Sequence, residues 1–221
     1  MSLKMETLAA ENWESQVVSP QTVTAKIKPG MSIFVGTAGA EPRTMVRHLM
    51  NSDAKNLEDL ELIQLVSVGD AVSLQTLHSQ NFRLKTFFSG WVADEAIEEG
   101  RVDMIPSRFV KIPQVIESLL RPVDVAVVQI TPPNEAGFCS LGVAIDVARE
   151  AMEQADICVG EINTQIPRTF GDTFVQVSEF DFLVQSTDPL ILLDRWEIDD
   201  VWDQVAQHVV SLIEDESCLA F

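Results

Sequence analysis

Positively charged residues are scarce in this sequence of 221 residues. It contains 15 Lys and Arg against 34 Asp and Glu, which gives a formal net charge of −19. Nucleic-acid phosphates and anionic membrane surfaces are both bound through clustered Lys and Arg. The composition therefore argues against nucleic acid and against a membrane surface as partners. The acidity by itself says more about solubility than about function.

Cysteines are also few, and they form no recognisable pair. Cys139, Cys158 and Cys218 are far apart, and no CxxC motif occurs. Disulfide frameworks and zinc sites need paired cysteines, and the 3 histidines have no metal-ligand spacing. We therefore expect a reducing compartment and no metal site. Cys139 has two interpretations, a reactive thiol or a small apolar residue of the core.

Long apolar runs and a targeting signal are absent from the sequence. No run approaches the roughly 20 apolar residues that span a bilayer, and the N-terminus lacks the pattern of a secretory signal. We expect a cytoplasmic protein. With 46% hydrophobic and 22% charged residues, the chain can bury a sizeable core. We expect residues 1–14 to form a tail and residues 15–221 to form one domain.

Short apolar runs alternate with amphipathic stretches, which is typical of an α/β fold with a mainly parallel sheet. Val123–Ile130 is nearly unbroken, as in a strand near the centre of the sheet that is covered on both faces. The other predicted strands are Met31–Val35, Leu62–Val66, Thr86–Phe88, Ile157–Ile162, Phe174–Val177 and Phe182–Val184. The predicted helices are Pro20–Ile27, residues 43–50, Asp94–Glu99, residues 143–155 and a C-terminal helix with Trp202, Val205, Val209, Leu212 and Ile213 on one face.

The segment Val35–Pro42 leads from a predicted strand through two glycines into a helix. Gly36 and Gly39 allow a tight turn and close approach to a ligand, while the helix offers unsatisfied N–H groups to an anion. The segment is neither a GxGxxG motif nor a P-loop. A packed structural turn and a ligand loop explain it equally well.

Two later segments also follow predicted strands. Ile130–Gly142 contains two prolines and two glycines, and it is either a ligand loop or a rigid connection. In Glu161–Asp172, Arg168 could hold a carboxylate or pair with Asp172 or Glu179 in a structural network. Parallel strands deliver their following loops to one edge of a sheet. We therefore expect the three segments to converge there.

The joined run Arg121–Ala126 and Pro132–Gly142, followed by Ile166–Asp172, resembles the acetyl-CoA hydrolase/transferase family. This family includes acetate, succinate and 4-hydroxybutyrate CoA-transferases. Gly100–Asp103, with Ile105-Pro106 and Ile112-Pro113, matches the pattern before these motifs. The resemblance covers residues 15–220.

The resemblance implies a three-layer α/β domain of the CoA-transferase type, paired in the intact enzyme with a second domain of similar fold. It implies that a glutamate attacks an acyl-CoA thioester, giving a mixed anhydride and then a glutamyl-CoA thioester. A small carboxylate completes transfer, and water completes hydrolysis. Coenzyme A enters as a thioester substrate, and no tightly bound cofactor is implied. The candidate substrate and CoA-binding residues are Gly36, Thr37, Ala38, Gly39, Glu41, Pro133, Gly137, Asn163, Pro167, Arg168 and Gly171.

The family's nucleophilic glutamate belongs to a C-terminal half that the resemblance places beyond this sequence. No glutamate here matches that motif, so no catalytic residue is assigned, and we expect the chain alone to be inactive and to self-associate as a homo-oligomer. A non-catalytic module or subunit that binds acyl-CoA or a carboxylate is the alternative. A phosphosugar isomerase on a related fold is disfavoured because phosphate-binding cations are scarce.

Overall fold

The computed structural model describes residues 13–66, 82–88, 97–98, 100, 102–118, 122–192 and 197–219. It divides into two compact units, Met1–Ile191 and Leu192–Phe221. The first unit contains the sheet and the candidate site. The second unit contains one described helix.

A parallel sheet of seven strands forms the centre of the first unit, in the order β4-β3-β2-β1-β5-β7-β9. Every neighbouring pair in this sheet is parallel. The carboxyl ends of all seven strands therefore lie at one edge. The strands are β1 Ser32–Val35, β2 Leu60–Gln64, β3 Phe82–Thr86, β4 Val102–Met104, β5 Val125–Ile130, β7 Ile157–Ile162 and β9 Phe182–Gln185.

Helices cover both faces of this sheet. Along β5, Val125 and Val127 pack into one apolar core, and Ala126 and Val128 pack into a second core on the opposite face. The first core includes residues of helices α1 and α2, and the second includes residues of α3 and α4. The fold is therefore a three-layer α/β fold, as predicted. The helices are α1 Pro20–Thr24, α2 Arg43–Met50, α3 Ile112–Ser118 and α4 Ala148–Gln154.

Helices α1 and α2 begin where they were predicted to begin, and capping hydrogen bonds stabilise both starts. Ser19 is the N-cap of α1, its Oγ accepting a bond from the Thr22 N–H at 3.4 Å, and Pro20 follows at the first helical position. The start of α2 is capped from the sheet instead. The carboxylate of Glu161, on β7, accepts from the N–H groups of Thr44 at 3.3 Å and Met45 at 2.9 Å.

A small antiparallel ribbon interrupts the α/β pattern. It consists of β6, Phe138–Ser140, and β8, Phe174–Gln176, which pair through the register Cys139↔Val175. The prediction of a strand at Phe174–Val177 is confirmed apart from its last residue. Its pairing outside the main sheet was not predicted.

Several sequence-based boundaries are corrected. The helix expected at Pro20–Ile27 ends at Thr24. The predicted helix over residues 143–155 begins only at Ala148, because Gly142 and Asp146 have left-handed φ values of 72° and 41°. The strand expected at Thr86–Phe88 is Phe82–Thr86, where alternate residues are buried. The strand expected at Leu62–Val66 is Leu60–Gln64. The helix expected at Asp94–Glu99 lies outside the described residues, apart from 97–98.

The second unit carries helix α5, Asp200–Val210, in agreement with the predicted C-terminal helix except that Leu212 and Ile213 lie beyond its end. Asp199 caps it, and its carboxylate accepts a bond from the Trp202 N–H at 2.9 Å. None of its residues is buried. In the part of the chain that the structure describes, no helix is long and apolar enough to cross a membrane.

Candidate functional site at the carboxyl edge of the sheet

The loop after β1 is fixed by close backbone contacts. The Gly36 N–H donates to the Val127 carbonyl at 2.9 Å. A Cβ atom at Gly36 would lie 2.8 Å from the Ala40 carbonyl oxygen, so the turn accepts only glycine without a shift of the backbone. The close packing of this turn therefore explains the first glycine of the two-glycine pattern, Gly36.

Thr37 and Ala38 join this loop to the residues after β2. The Thr37 hydroxyl donates to the Val66 carbonyl at 2.8 Å and accepts from the Val66 N–H at 2.9 Å. The Ala38 N–H donates to the same carbonyl at 3.0 Å, and Ala38 has a φ of 50°. The ends of β1 and β2 are therefore held together.

Glu41 is fully buried beneath this loop rather than open to a ligand. Its carboxylate accepts a bond from the Gln64 side-chain amide at 3.0 Å, and its carbonyl accepts one from the Gln129 amide at 3.1 Å. Gln64 also donates to the Gly36 carbonyl at 3.0 Å. These contacts tie the loop to strands β2 and β5.

The segment after β5 turns back on itself to form β6. The Asn134 N–H donates to the Phe138 carbonyl at 2.9 Å, and the Gly137 N–H donates to the Asn134 carbonyl at 2.8 Å. Gly137 has a left-handed φ of 80°. Gly137 is therefore a turn residue, and Pro133 lies at the start of the same turn.

A cluster of hydroxyl groups connects the second and third segments. The Ser140 Oγ lies 3.3 Å from the Thr169 Oγ1 and 3.2 Å from the Thr173 Oγ1. The Thr169 hydroxyl also donates to the Gly142 carbonyl at 2.7 Å. Gly142 itself is packed so closely that a Cβ atom would overlap the Cγ2 of Ile166.

Arg168 supports the turn between β5 and β6. Its Nη2 donates to the carbonyls of Pro132 at 3.0 Å and Phe138 at 2.8 Å, and its guanidinium lies 5.6 Å from the centre of the Phe174 ring. Among the described residues it forms no ion pair with Asp172 or Glu179. Asp172 instead pairs with Arg149 at 3.3 Å. Arg168 therefore has a structural role here, but its acceptors are backbone carbonyls and not the expected Asp172 or Glu179.

The three segments meet around a cavity of about 600 Å3 at the carboxyl edge of the sheet. This volume is within the usual range for small-molecule sites. Each of the three predicted segments contributes to its lining. The described lining residues are Thr37, Ala38, Leu65, Val66, Phe88, Phe109, Gly142, Val143, Ala144, Ile145, Asp146, Thr169, Phe170 and Thr173.

The candidate residues fall into two groups. Thr37 and Ala38 line the cavity, and a Cβ atom at Gly39 would lie 3.3 Å from the lining residue Val143. Asn163 is buried and holds its own loop, its Oδ1 accepting from the Gln165 N–H at 2.9 Å. Nine candidates are not among the described lining residues: Gly36, Gly39, Glu41, Pro133, Gly137, Asn163, Pro167, Arg168 and Gly171.

The residues that sequence reasoning missed are mostly apolar. Phe88 and Phe109 are hydrophobic side chains that belong to none of the motifs, and their rings lie 6.1 Å apart. Val143–Asp146 was assigned to a helix and instead forms part of the cavity wall. The signal that could have identified this wall is Gly142, because a glycine at the start of a helical pattern often marks a break.

Cys139 is in the core and not in the cavity. It is fully buried, and burial raises the pKa of its thiol to about 12. A thiol in this state is protonated at neutral pH and is a poor nucleophile. This favours the interpretation of Cys139 as a small apolar residue. Among the described residues no group of His, Cys, Asp and Glu could hold a metal ion.

The fold and the cavity define a class, that of α/β domains with a ligand-sized cavity at the carboxyl edge of a parallel sheet. Comparison with known proteins identifies the family. The acetyl-CoA hydrolase/transferase N-terminal domain matches residues 1–193. The chain belongs to this family, which confirms the resemblance inferred from the sequence motifs and goes against a phosphosugar isomerase.

The curated relatives are CoA-transferases. A 4-hydroxybutyrate coenzyme A transferase of Clostridium kluyveri is 31% identical over 95% of this chain and 48% of its own length. A succinyl-CoA:acetate/propanoyl-CoA:succinate CoA transferase of Fasciola hepatica is 29% identical over 87% of this chain and 40% of its own length. The chain therefore spans about half the length of these relatives.

Solved structures share the fold. RipA from Yersinia pestis superposes with a TM-score of 0.81 at 21% identity, over 91% of this chain and 49% of that one. A 4-hydroxybutyrate CoA-transferase from Porphyromonas gingivalis superposes with a TM-score of 0.69 at 24% identity, over 94% of this chain and 48% of that one. The fold is that of CoA-transferases, as the sequence motifs implied.

Proposed function

We propose that this chain is the N-terminal half of an acyl-CoA:carboxylate CoA-transferase or acetyl-CoA hydrolase. The observation that carries the proposal is the cavity at the carboxyl edge of the sheet, in a chain of this family, with Thr37, Ala38 and Gly142 in its wall. Acyl-CoA and a small carboxylate are the proposed substrates. The proposed partner is a second domain with the catalytic glutamate.

In the proposed reaction the glutamate carboxylate attacks the thioester carbonyl, and the CoA thiolate leaves to give a mixed anhydride. The thiolate then attacks the glutamyl carbonyl, which releases the acyl group as a free carboxylate and leaves a glutamyl-CoA thioester. A second carboxylate reverses these steps to complete transfer, or water hydrolyses the thioester. The scheme requires no tightly bound cofactor.

The contribution of this chain is to position the substrate. Thr37 and Ala38 are held against Val66 by three hydrogen bonds, so this wall is rigid before a ligand arrives. A rigid wall loses little conformational entropy on binding and holds the thioester in one orientation. Five other candidate residues act indirectly, because their contacts hold the loops in place. They are Gly36, Glu41, Gly137, Asn163 and Arg168.

The test measures binding and turnover separately in the 221-residue chain. Butyryl-CoA binding is followed by isothermal titration calorimetry, and transfer to 13C-labelled acetate is followed by mass spectrometry of the CoA esters. We expect binding without turnover, since the proposed nucleophile belongs to the second domain. Turnover by the purified chain would place a nucleophile within these residues, and the absence of binding at millimolar ester would overturn the binding role.

A further inference from the structure

The side chains that line the cavity are mostly apolar, and this composition affects which acyl group the cavity accepts. Among its described residues the only ionisable side chain is Asp146, and most of the others are apolar. Leu65, Val66 and Ile145 supply aliphatic surface, and Phe88 and Phe109 supply aromatic surface. No described lysine, arginine or histidine faces the cavity.

The three threonine hydroxyls in the cavity wall already donate hydrogen bonds to backbone carbonyls. The Thr37 hydroxyl donates to the Val66 carbonyl at 2.8 Å, the Thr169 hydroxyl to the Gly142 carbonyl at 2.7 Å, and the Thr173 hydroxyl to the Thr169 carbonyl at 2.8 Å. A hydroxyl has one proton to donate. A carboxylate in the cavity would therefore find no side-chain donor among these three threonines.

Asp146 is held in place by its backbone and not by partners of its side chain. Its φ is 41°, and the next turn is closed by the Ala148 N–H, which donates to the Ile145 carbonyl at 2.7 Å. The Asp146 carboxylate forms no hydrogen bond or ion pair with any other described residue. Asp146 is half-buried, and a carboxylate with less water around it acts more strongly on a neighbouring charge.

We propose that the cavity accepts neutral acyl groups and rejects acyl groups that end in a carboxylate, and that Asp146 makes this selection. A butyryl or hydroxybutyryl chain would contact the aliphatic and aromatic wall without bringing a charge near Asp146. A succinyl chain would bring its terminal carboxylate near a carboxylate that no described cation neutralises. The inference rests on the proposed function, because it takes the cavity to be the acyl site.

The experiment compares acyl chains of nearly equal shape in N-acetylcysteamine thioesters, which carry the thioester end of pantetheine without the phosphates of CoA. Succinyl and succinamoyl thioesters differ mainly in charge, and butyryl thioester is the apolar reference. Dissociation constants for the 221-residue chain are measured by saturation-transfer NMR. We expect succinyl thioester to bind at least tenfold more weakly than succinamoyl thioester.

Two variants locate the effect. Asn tolerates left-handed φ at least as well as Asp, so Asp146→Asn removes the charge and preserves the loop, and it should bring the two constants within about threefold. Val143→Trp adds bulk at an exposed wall residue and should weaken all three thioesters. Circular dichroism and thermal melting verify that both variants are folded.

The outcomes separate the inference from the proposed function. Equal binding of succinyl and succinamoyl thioesters, or a ratio unchanged in Asp146→Asn, overturns the selection by Asp146. If butyryl-CoA binds with an affinity that Val143→Trp does not change, and none of the three thioesters binds, the inference is overturned, while the proposal that the chain binds acyl-CoA stands. Failure of both butyryl-CoA and the butyryl thioester to bind overturns the proposed function as well.

Discussion

Arg168→Ala tests whether the turn between β5 and β6 depends on one guanidinium. The side chain donates to two backbone carbonyls, Pro132 at 3.0 Å and Phe138 at 2.8 Å. A hydrogen bond from a charged donor contributes about 1.5–3 kcal/mol, and the second bond contributes less because it is solvent-exposed. The contact with the Phe174 ring adds about 0.5–1 kcal/mol. We therefore expect Arg168→Ala to lower the free energy of unfolding by about 2–4 kcal/mol.

The assay is urea unfolding followed by far-UV circular dichroism. Arg108→Ala is the matched control, because Arg108 is exposed and its side chain forms no hydrogen bond or ion pair with another described residue. A surface change of this kind stays within about 0.5 kcal/mol of the parent. Arg168→Lys keeps the charge but not the planar fork, and we expect it to lie between the parent and Arg168→Ala.

A second measurement distinguishes support of the turn from direct binding. If Arg168 supports the turn, butyryl-CoA binding should weaken only at temperatures where the variant begins to unfold. A loss of butyryl-CoA binding in a fully folded Arg168→Ala chain would show that the guanidinium contacts the ligand directly. Equal unfolding free energies for Arg168→Ala and Arg108→Ala would refute the structural argument.

Three further predictions concern packing, thiol reactivity and pH. Gly160→Ala should lower the free energy of unfolding by about 1–3 kcal/mol, because a Cβ atom would lie 2.7 Å from the Cδ1 of Ile130. Urea unfolding should show that Ile130→Val recovers part of this loss in the double variant. Cys218 is exposed and Cys139 buried, so a chromogenic disulfide reagent should modify Cys218 rapidly and Cys139 only after unfolding; rapid modification of Cys139 would contradict its burial. Burial raises the pKa of Glu161, so the folded chain holds a proton that the unfolded chain releases. Stability should then fall as pH rises above the ordinary glutamate pKa, and urea unfolding across pH should show a smaller decline for Glu161→Gln; equal slopes would contradict this.

The parts of the fold that sequence patterns predicted best are those that depend on burial alone. Val123–Ile130 and Ile157–Ile162 are apolar because helices cover both faces of the sheet, and both predicted strands are confirmed with at most two residues of difference. The convergence of the three loops also followed from physics, since parallel strands end at one edge.

The features that the sequence did not predict depend on single backbone angles and on contacts between distant segments. The alanine-containing stretch after Gly142 has a helical pattern, yet the left-handed φ of Asp146 turns it into the cavity wall. The carbonyl acceptors of Arg168 carry no sequence signature, because any residue supplies a carbonyl. Phe109 lies far along the chain from the loops it joins, so no local pattern could place it at the cavity.

The most direct test of the account is to locate butyryl-CoA on the 221-residue chain by NMR with labelled Ile, Leu and Val methyl groups. We expect the methyl signals of Val66, Val143 and Ile145, which line the cavity, to shift on addition of the ester. Methyl groups remote from the carboxyl edge, such as those of Val23 and Leu49, should remain unchanged. Saturable shifts confined to other residues, or none at the cavity, would contradict the assignment of this edge as the acyl site.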